Sequence, residues 1–159
     1  MRRFFIPVFL CIILFLLPLQ VFIIGDYSGI GIQGAVYRYQ TSGYGTSFIL
    51  ITRELGFVFD GIYTGRTALS VILWALGTAL LTWTTVFSLI HADKLYDRLY
   101  RQVLYGIILS GIIYLASCMA QYGFFFKGPA GISLPLGIIF MFGWITCIHY
   151  FTKNQMGDD

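Results

Sequence analysis

Four long apolar segments, separated by shorter polar connections, dominate the hydrophobic pattern of the chain. Charge-free runs cover residues 4–24, 69–90, 103–121 and 132–152. A hydrocarbon core of about 30 Å is crossed by roughly 20 helical residues, so each run is long enough to cross it. A lone segment in lipid satisfies its backbone groups only as a helix. The pattern therefore predicts a four-transmembrane-helix bundle, an α-helical membrane protein with a single integral membrane domain over 1–159.

Three prolines fall within these runs and modify the expected helices. Pro7 and Pro135 lie in or near a first turn, where the missing N–H costs little. Pro18 lies deep in the first run and predicts a kink. That run is longer than the core of a signal peptide and no A-x-A-like site follows it, so we expect it to stay as a span.

The long connection over 25–66 is the one non-helical segment with its own structural pattern. Residues 29–40 alternate apolar and polar side chains, residues 47–53 are rich in β-branched and aromatic types, and a TSGYGT turn lies between them. These features predict an antiparallel β-hairpin. Residues 55–59 provide either a third strand or an amphipathic piece at the membrane interface. We therefore expect a small extracytoplasmic β-hairpin or three-stranded sheet, folded as a cap over the bundle.

Aromatic and arginine side chains of this loop form the candidate interaction surface, because such residues dominate protein interfaces. They are Tyr37, Arg38, Tyr39, Tyr44, Phe48, Arg53, Phe57 and Phe59. The expected partners, besides the lipid bilayer, are other membrane proteins or a second copy of the chain.

Composition and charge placement agree with a membrane location. The chain is 58% hydrophobic and only 11% charged, too apolar for a water-facing surface of this size, and no basic cluster suggests nucleic acid. The short connection between the third and fourth runs holds only Lys127. The opposite side holds six cations: Arg2, Arg3, Lys94, Arg98, Arg101 and Lys153. The positive-inside rule then predicts a multi-pass protein of the cell membrane with both termini cytoplasmic.

Candidate chemistry within the runs is sparse. They contain no Asp, Glu, Lys or Arg, which argues against a pump, a coupled transporter or an intramembrane hydrolase. His91 and His149 end two runs on the same side and are the only candidates for axial haem ligation. The cysteines form no CxxC pair; they are Cys11, Cys118 and Cys147. We expect no catalytic site, no metal site and no cofactor.

Small and polar residues recur along the middle runs. In the second run they follow a heptad spacing at Ser70, Gly77, Thr84 and His91; in the third they are Gly106, Ser110, Ser117 and Gln121. Such residues allow close helix packing and hydrogen bonds between helices. The alternative is a hydroxyl-lined lumen, which predicts a passive channel or small-molecule carrier formed by self-association.

The layout resembles the claudin and peripheral-myelin-protein superfamily, in which a long first outer loop with strand character joins four spans with cytoplasmic ends. The resemblance covers topology alone. The family's first-loop signature is a Trp followed by Gly-Leu-Trp and two cysteines, and residues 25–66 contain neither Trp nor Cys. It implies a helical bundle carrying a small antiparallel sheet and a role in adhesion, assembly or as an auxiliary subunit. The leading functional hypothesis is accordingly a non-enzymatic membrane protein that acts through its outer loop, ahead of a passive channel or a haem-binding redox subunit.

Overall fold

A computed structural model describes residues 5–25, 28–43, 45–92 and 97–155. The helices are α1 (Phe5–Phe15), α2 (Ile51–Phe59), α3 (Gly65–Ile90), α4 (Asp97–Tyr122) and α5 (Leu136–Gln155). The strands are β1 (Gln20–Ile24), β2 (Gly29–Gln33), β3 (Tyr37–Ser42), β4 (Gly45–Leu50), β5 (Lys127–Gly128) and β6 (Gly131–Leu134).

Helices α3 and α4 pack together at the centre of the fold. The α3 helix and residues 99–122 of α4 are long and apolar enough to cross a membrane. The second and third apolar runs are therefore helical, as the sequence pattern predicts.

Small and hydroxyl side chains lie in the seam between α3 and α4. Ser117 Oγ donates a hydrogen bond to the Ser70 carbonyl at 2.8 Å. A Cβ added to Gly77 would stand 2.9 Å from the Tyr114 ring, and Gly106 makes a similarly close approach to α3. The repeating small residues thus serve helix packing, as one of the two sequence interpretations expected.

The first apolar run is not one helix, so the prediction of a continuous span over 4–24 is wrong. The α1 helix ends at Phe15 and the same run continues as strand β1. Pro18 ends the helix rather than kinking it, because it has no N–H to donate and its ring would clash with the preceding turn. The residues that follow are mostly β-branched or aromatic, which favours the strand. A helix of eleven residues, about 16 Å long, is too short to cross a bilayer alone.

The fourth run is divided in the reverse order, which corrects the helix predicted over 132–152. Strand β6 comes first, Pro135 follows, and α5 begins at Leu136. The residue before a proline avoids the helical conformation, so Leu134 stays extended. Pro135 itself is well placed ahead of a first helical turn. A four-helix bundle of uninterrupted spans is therefore not what this chain forms.

The two divided runs meet where strand changes to helix. The Leu19 carbonyl accepts hydrogen bonds from the amides of Gly137 at 3.0 Å and Ile138 at 3.3 Å. The approach is so close that a Cβ on Gly137 would stand 2.8 Å from Leu19 Cα and would also meet the Pro18 carbonyl. Glycine is therefore required at position 137 by space.

The strands form one antiparallel sheet in the order β4-β3-β2-β1-β6-β5. The hairpin expected around the TSGYGT turn is present as β3 and β4. The prediction of a hairpin or three-stranded sheet underestimates the sheet, however. Strands β1 and β6 extend it, and their residues belong to apolar runs predicted to be membrane-spanning helices.

Three local predictions within the loop need correction. The segment 29–40 is two strands joined by a turn at 34–36, and the strand expected over 47–53 ends at Leu50. The segment 55–59 is neither a strand nor a separate interfacial piece, since it belongs to helix α2. This helix packs against α3 beside the sheet.

The two faces of the sheet have opposite character. One face packs on the central helices and carries buried polar residues, which include Gln20, Gln33, Arg38 and Ser133. Successive strand residues point to opposite faces, so the face turned away from the helices carries the alternate positions. These are Val21, Ile23, Ile30, Ile32, Tyr37, Tyr39, Thr41, Thr46, Phe48, Leu50, Ile132 and Leu134. Lys127 of β5 pairs with Ile132 and therefore lies on the same face, at the short edge of the sheet. We call this face the outward sheet face; apart from Lys127 its described strand positions are uncharged.

Substitution of Gly137 by alanine should destabilise the protein by about 1–3 kcal/mol, because the added methyl meets immovable backbone. The matched control is Gly143→Ala in the same helix, where a Cβ would meet nothing within 4 Å. The control should be neutral or stabilised by up to about 1 kcal/mol. Thermal unfolding of the detergent-solubilised variants measures both; equal stability of the two would contradict the junction described above.

Candidate functional site

A charged pair lies buried beneath the sheet. Arg38 Nη1 donates to Glu54 Oε1 at 3.0 Å, and the two side chains are 8% and 1% exposed. Strand β3 turns Arg38 inward, and the first turns of α2 bring Glu54 beneath it. Each charge is desolvated, so each depends on the other and on further hydrogen bonds for compensation.

Two glutamines extend the pair into a hydrogen-bonded network. Gln33 Oε1 accepts from Arg38 Nε at 3.2 Å and from Nη2 at 2.8 Å, and also from Gln20 Nε2 at 2.7 Å. Gln20 Oε1 in turn accepts from Ser133 Oγ at 2.8 Å and from the Cys118 thiol. The network joins α2, β3, β2, β1, β6 and α4. We call these six residues the polar network.

Aromatic side chains wall the network on the helix side. The Arg38 guanidinium lies 5.3 Å from the Trp74 ring centroid and 5.8 Å from that of Phe22. Both contacts favour a cation in a site without water. Tyr63 lies on the Glu54 side, where burial raises the pKa of its hydroxyl and the negative charge of Glu54 raises it further. Tyr63 therefore stays protonated beside the carboxylate.

The turn between β2 and β3 fixes the sheet to the middle of α3. Trp74 Nε1 donates to the Gly34 carbonyl at 3.0 Å, and Thr78 Oγ1 donates to the Ala35 carbonyl at 2.6 Å. Thr78 lies about 20 Å along α3 from its start at Gly65. The inner end of the sheet thus lies beside the central, apolar part of a helix long enough to cross a membrane.

Sequence reasoning missed this site because it searched for charges inside the apolar runs alone. Arg38 and Glu54 come from the loop over 25–66, yet they are buried together and the Arg38 guanidinium lies against Trp74 of α3. The absence of charge from the runs therefore does not mean a charge-free interior. One signal was available: Gln20 is the only amide side chain in the first run, and a buried amide needs a partner.

The polar network holds one helix of the loop, four strands and the central helix α4 together. Arg38 is held by Glu54 and Gln33 together, whereas Oε2 of Glu54 is buried without a hydrogen-bond partner. Among the described residues, no group of three or more His, Cys, Asp or Glu side chains is arranged to hold a metal ion.

The predicted interaction surface is divided by the structure. Its exposed members are Tyr39, Phe48, Arg53 and Phe59, and its half-buried members are Tyr37 and Phe57. Arg38 is buried in the polar network, so its assignment to an interaction surface is wrong. Tyr44 lies outside the described residues. Tyr37 stacks on Phe48 with ring centroids 5.7 Å apart, which joins β3 and β4 across the outward sheet face.

His91 is bound within its own helix. Its Nδ1 lies 3.0 Å from the Phe87 carbonyl, and its ring packs 4.5 Å from that of Phe87. The side chain of His149 lies outside the described part of α5. The pairing of these histidines around a haem stays a prediction without a contact to support it.

No protein-family model, curated protein or solved structure matches the chain. The resemblance to the claudin and peripheral-myelin-protein superfamily stays a prediction.

Removal of the Glu54 charge by Glu54→Gln should cost about 3–5 kcal/mol of stability, because it leaves the Arg38 cation buried without its counter-ion. The matched control is Asp60→Asn at the exposed end of α2, where the same chemical change should cost less than about 0.5 kcal/mol. The double variant Arg38→Met with Glu54→Leu should recover most of the loss. Denaturant unfolding in detergent measures all three, and a loss in Glu54→Gln no larger than in the control would refute the role of the pair.

Proposed function

We propose that the chain is a non-enzymatic, multi-pass protein of the cell membrane with cytoplasmic termini. Its sheet serves as an assembly surface for a strand of another membrane-protein chain. A second copy of this chain could also provide that strand. In this role the protein acts as an assembly factor or an auxiliary subunit of a larger complex.

The distribution of exposed apolar side chains supports the membrane location. Large apolar residues are exposed along most of α3, including Leu69, Leu76, Trp83 and Ile90. Soluble monomers rarely expose apolar patches of such extent. The sheet adds to this surface, because its outward face is exposed and its opposite, polar face is turned towards the helices. An arrangement with apolar residues outside and polar residues inside suits a sheet that faces lipid.

The single observation that carries the assembly role is the open edge of this sheet. Strand β4 lies at one end of the strand order, and no described strand pairs with its free side. The amide of Ile51 bonds back to the Val36 carbonyl. Because backbone groups alternate sides along a strand, the amides of Thr46, Phe48 and Leu50 point away from β3.

Unpaired backbone groups at this position favour a partner. An open sheet edge is not tolerated against hydrocarbon, since each unsatisfied group costs several kcal/mol. The β4 segment GTSFIL also lacks the charges and prolines that protect a free edge. The opposite edge is different, because β5 has only two residues and includes Lys127. A partner strand added to β4 would satisfy the free amides and cover Phe48, which is 61% exposed.

The hydroxyl groups of the helices favour assembly over a hydroxyl-lined channel. Thr84 and Thr85 bond to carbonyls of their own helix. Ser70 and Ser117 bond to each other across the seam. These groups are engaged in packing and are not directed into a lumen.

The proposed orientation, with cytoplasmic termini, predicts which positions a membrane-impermeant maleimide reaches in intact cells. Lys127→Cys should be labelled from outside, and Arg101→Cys should be labelled only after the membrane is permeabilised. Both side chains are exposed, so the access of the maleimide to each position depends only on the side of the membrane on which it lies. Labelling of both positions in intact cells would exclude the proposed orientation.

A photo-crosslinking residue at position 48 should give a discrete protein adduct in native membranes, because Phe48 would lie under the partner strand. The matched control is the same residue at position 125, which is exposed at the other end of the sheet order. Thr46→Lys should abolish the adduct at position 48, since lysine protects a free edge. The mass of the adduct distinguishes a second copy from a different protein.

The edge proposal fails if position 48 gives only lipid adducts, or if its protein adduct survives Thr46→Lys. Thr52→Lys on exposed α2 serves as the control for an added charge, and the adduct should survive in it.

A further inference from the structure

The loop between α4 and β5 has a backbone conformation that ordinary residues avoid. Phe126 has φ of 55° and Gly123 has φ of 92°. A left-handed conformation is unfavourable for a bulky residue and persists only where the surroundings impose it. Here the Phe126 amide donates to the Gly123 carbonyl at 3.0 Å, the Phe126 carbonyl accepts from the Ser133 amide at 2.9 Å, and the ring packs against the core.

This constrained turn projects two aromatic rings outward. Phe124 and Phe125 are 73% and 86% exposed, and their rings meet edge to face at a centroid distance of 5.4 Å. Exposed phenylalanines are costly in water but are stable where a protein surface enters the outer part of a lipid layer. The turn follows directly on α4, at the end of a helix long enough to cross a membrane.

Two cations flank the same turn. Arg66, in the first turn of α3, donates from Nε to the Ala120 carbonyl at 3.0 Å, which holds its guanidinium over the end of α4. Its Nη2 lies 3.8 Å from the point where a Cβ on Gly123 would stand, and the Lys127 carbonyl lies 3.5 Å from that point. The Lys127 side chain is exposed on the outward sheet face, beside its strand partner Ile132, and the first turn of α3 holds no acidic residue.

We propose that Arg66 and Lys127, together with Phe124 and Phe125, form a binding site for the phosphate headgroup of an anionic phospholipid. The inference rests on the membrane location in the proposed function. The guanidinium and the ammonium supply the charge that complements a phosphodiester, and guanidinium nitrogens match phosphate oxygens in geometry. The two rings enter the acyl region beside the headgroup. A free inorganic anion would use the cations but would gain nothing from the exposed rings.

Native mass spectrometry of the full-length protein in detergent tests the site. The probes are phosphatidylglycerol and phosphatidylcholine with the same acyl chains. The wild-type protein should retain phosphatidylglycerol in preference to phosphatidylcholine. Lys127→Gln should weaken phosphatidylglycerol binding about fivefold, because each cation near a membrane surface strengthens the binding of an anionic lipid by about that factor. The double variant Arg66→Gln with Lys127→Gln should weaken it about 25-fold. Arg53→Gln, an exposed cation on α2, is the matched control and should bind as the wild type does.

Other outcomes overturn the inference. Equal retention of the two lipids, or equal phosphatidylglycerol binding by the wild type and Lys127→Gln, removes the site. Millimolar inorganic phosphate is added as a competitor of phosphatidylglycerol to the wild type and to the double variant Phe124→Ser with Phe125→Ser. Equally effective competition in both proteins means that the cations bind a free anion and not a lipid. Lys127→Gln removes an exposed side chain and keeps the test valid even if the double variant misfolds. Extraction of membranes with alkaline carbonate separates the two proposals, because release of the protein would refute the membrane location itself.

Discussion

The pairing of Arg38 with Glu54 is the interaction on which the other contacts of the interior depend. A guanidinium placed under a sheet needs a counter-charge and further acceptors, since desolvation of an unpaired ion costs several kcal/mol. Glu54 supplies the charge and Gln33 the additional acceptor. Gln33 is then oriented to receive Gln20, which draws β1 against β2 and α4. These contacts thereby fix the positions of helix α2, the sheet and the central helices relative to one another.

The same constraint accounts for the division of two apolar runs into strand and helix. In the proposed membrane location, strands beside the apolar part of α3 need every backbone group bonded, because lipid offers no hydrogen-bond partner. The first and fourth runs provide β1 and β6, which pair with each other and extend the hairpin of the loop into a wider sheet. The α1 helix ends before Pro18, and α5 begins after Pro135. Gly137 allows the two junctions to meet.

The inverted polarity of the sheet connects the fold to the proposed role. Its polar side faces the helices, and its outward face is mostly apolar, with Lys127 as a charge at the short β5 edge. One edge is short and carries a lysine, whereas the β4 edge is long and unprotected. A surface of this kind is suited to a neighbour in the plane of the membrane rather than to a soluble ligand. The aromatic turn at 123–126 suits contact with the lipid surface itself.

By itself, the sequence determined the central pair of apolar helices, the packing role of their small residues and the β3–β4 hairpin, because these follow from local periodicity and composition. Tertiary structure alone decided that two apolar runs divide and that Arg38 lies inside. The sequences of a buried strand and of a membrane-spanning helix are equally hydrophobic, so the apolar composition of a run does not predict which of the two it forms. The position of Arg38 depended on partners 16 and 5 residues away in sequence, Glu54 and Gln33, which local patterns do not connect. The pairing of β2 with β3 and the packing of α2 beneath the sheet brought them together.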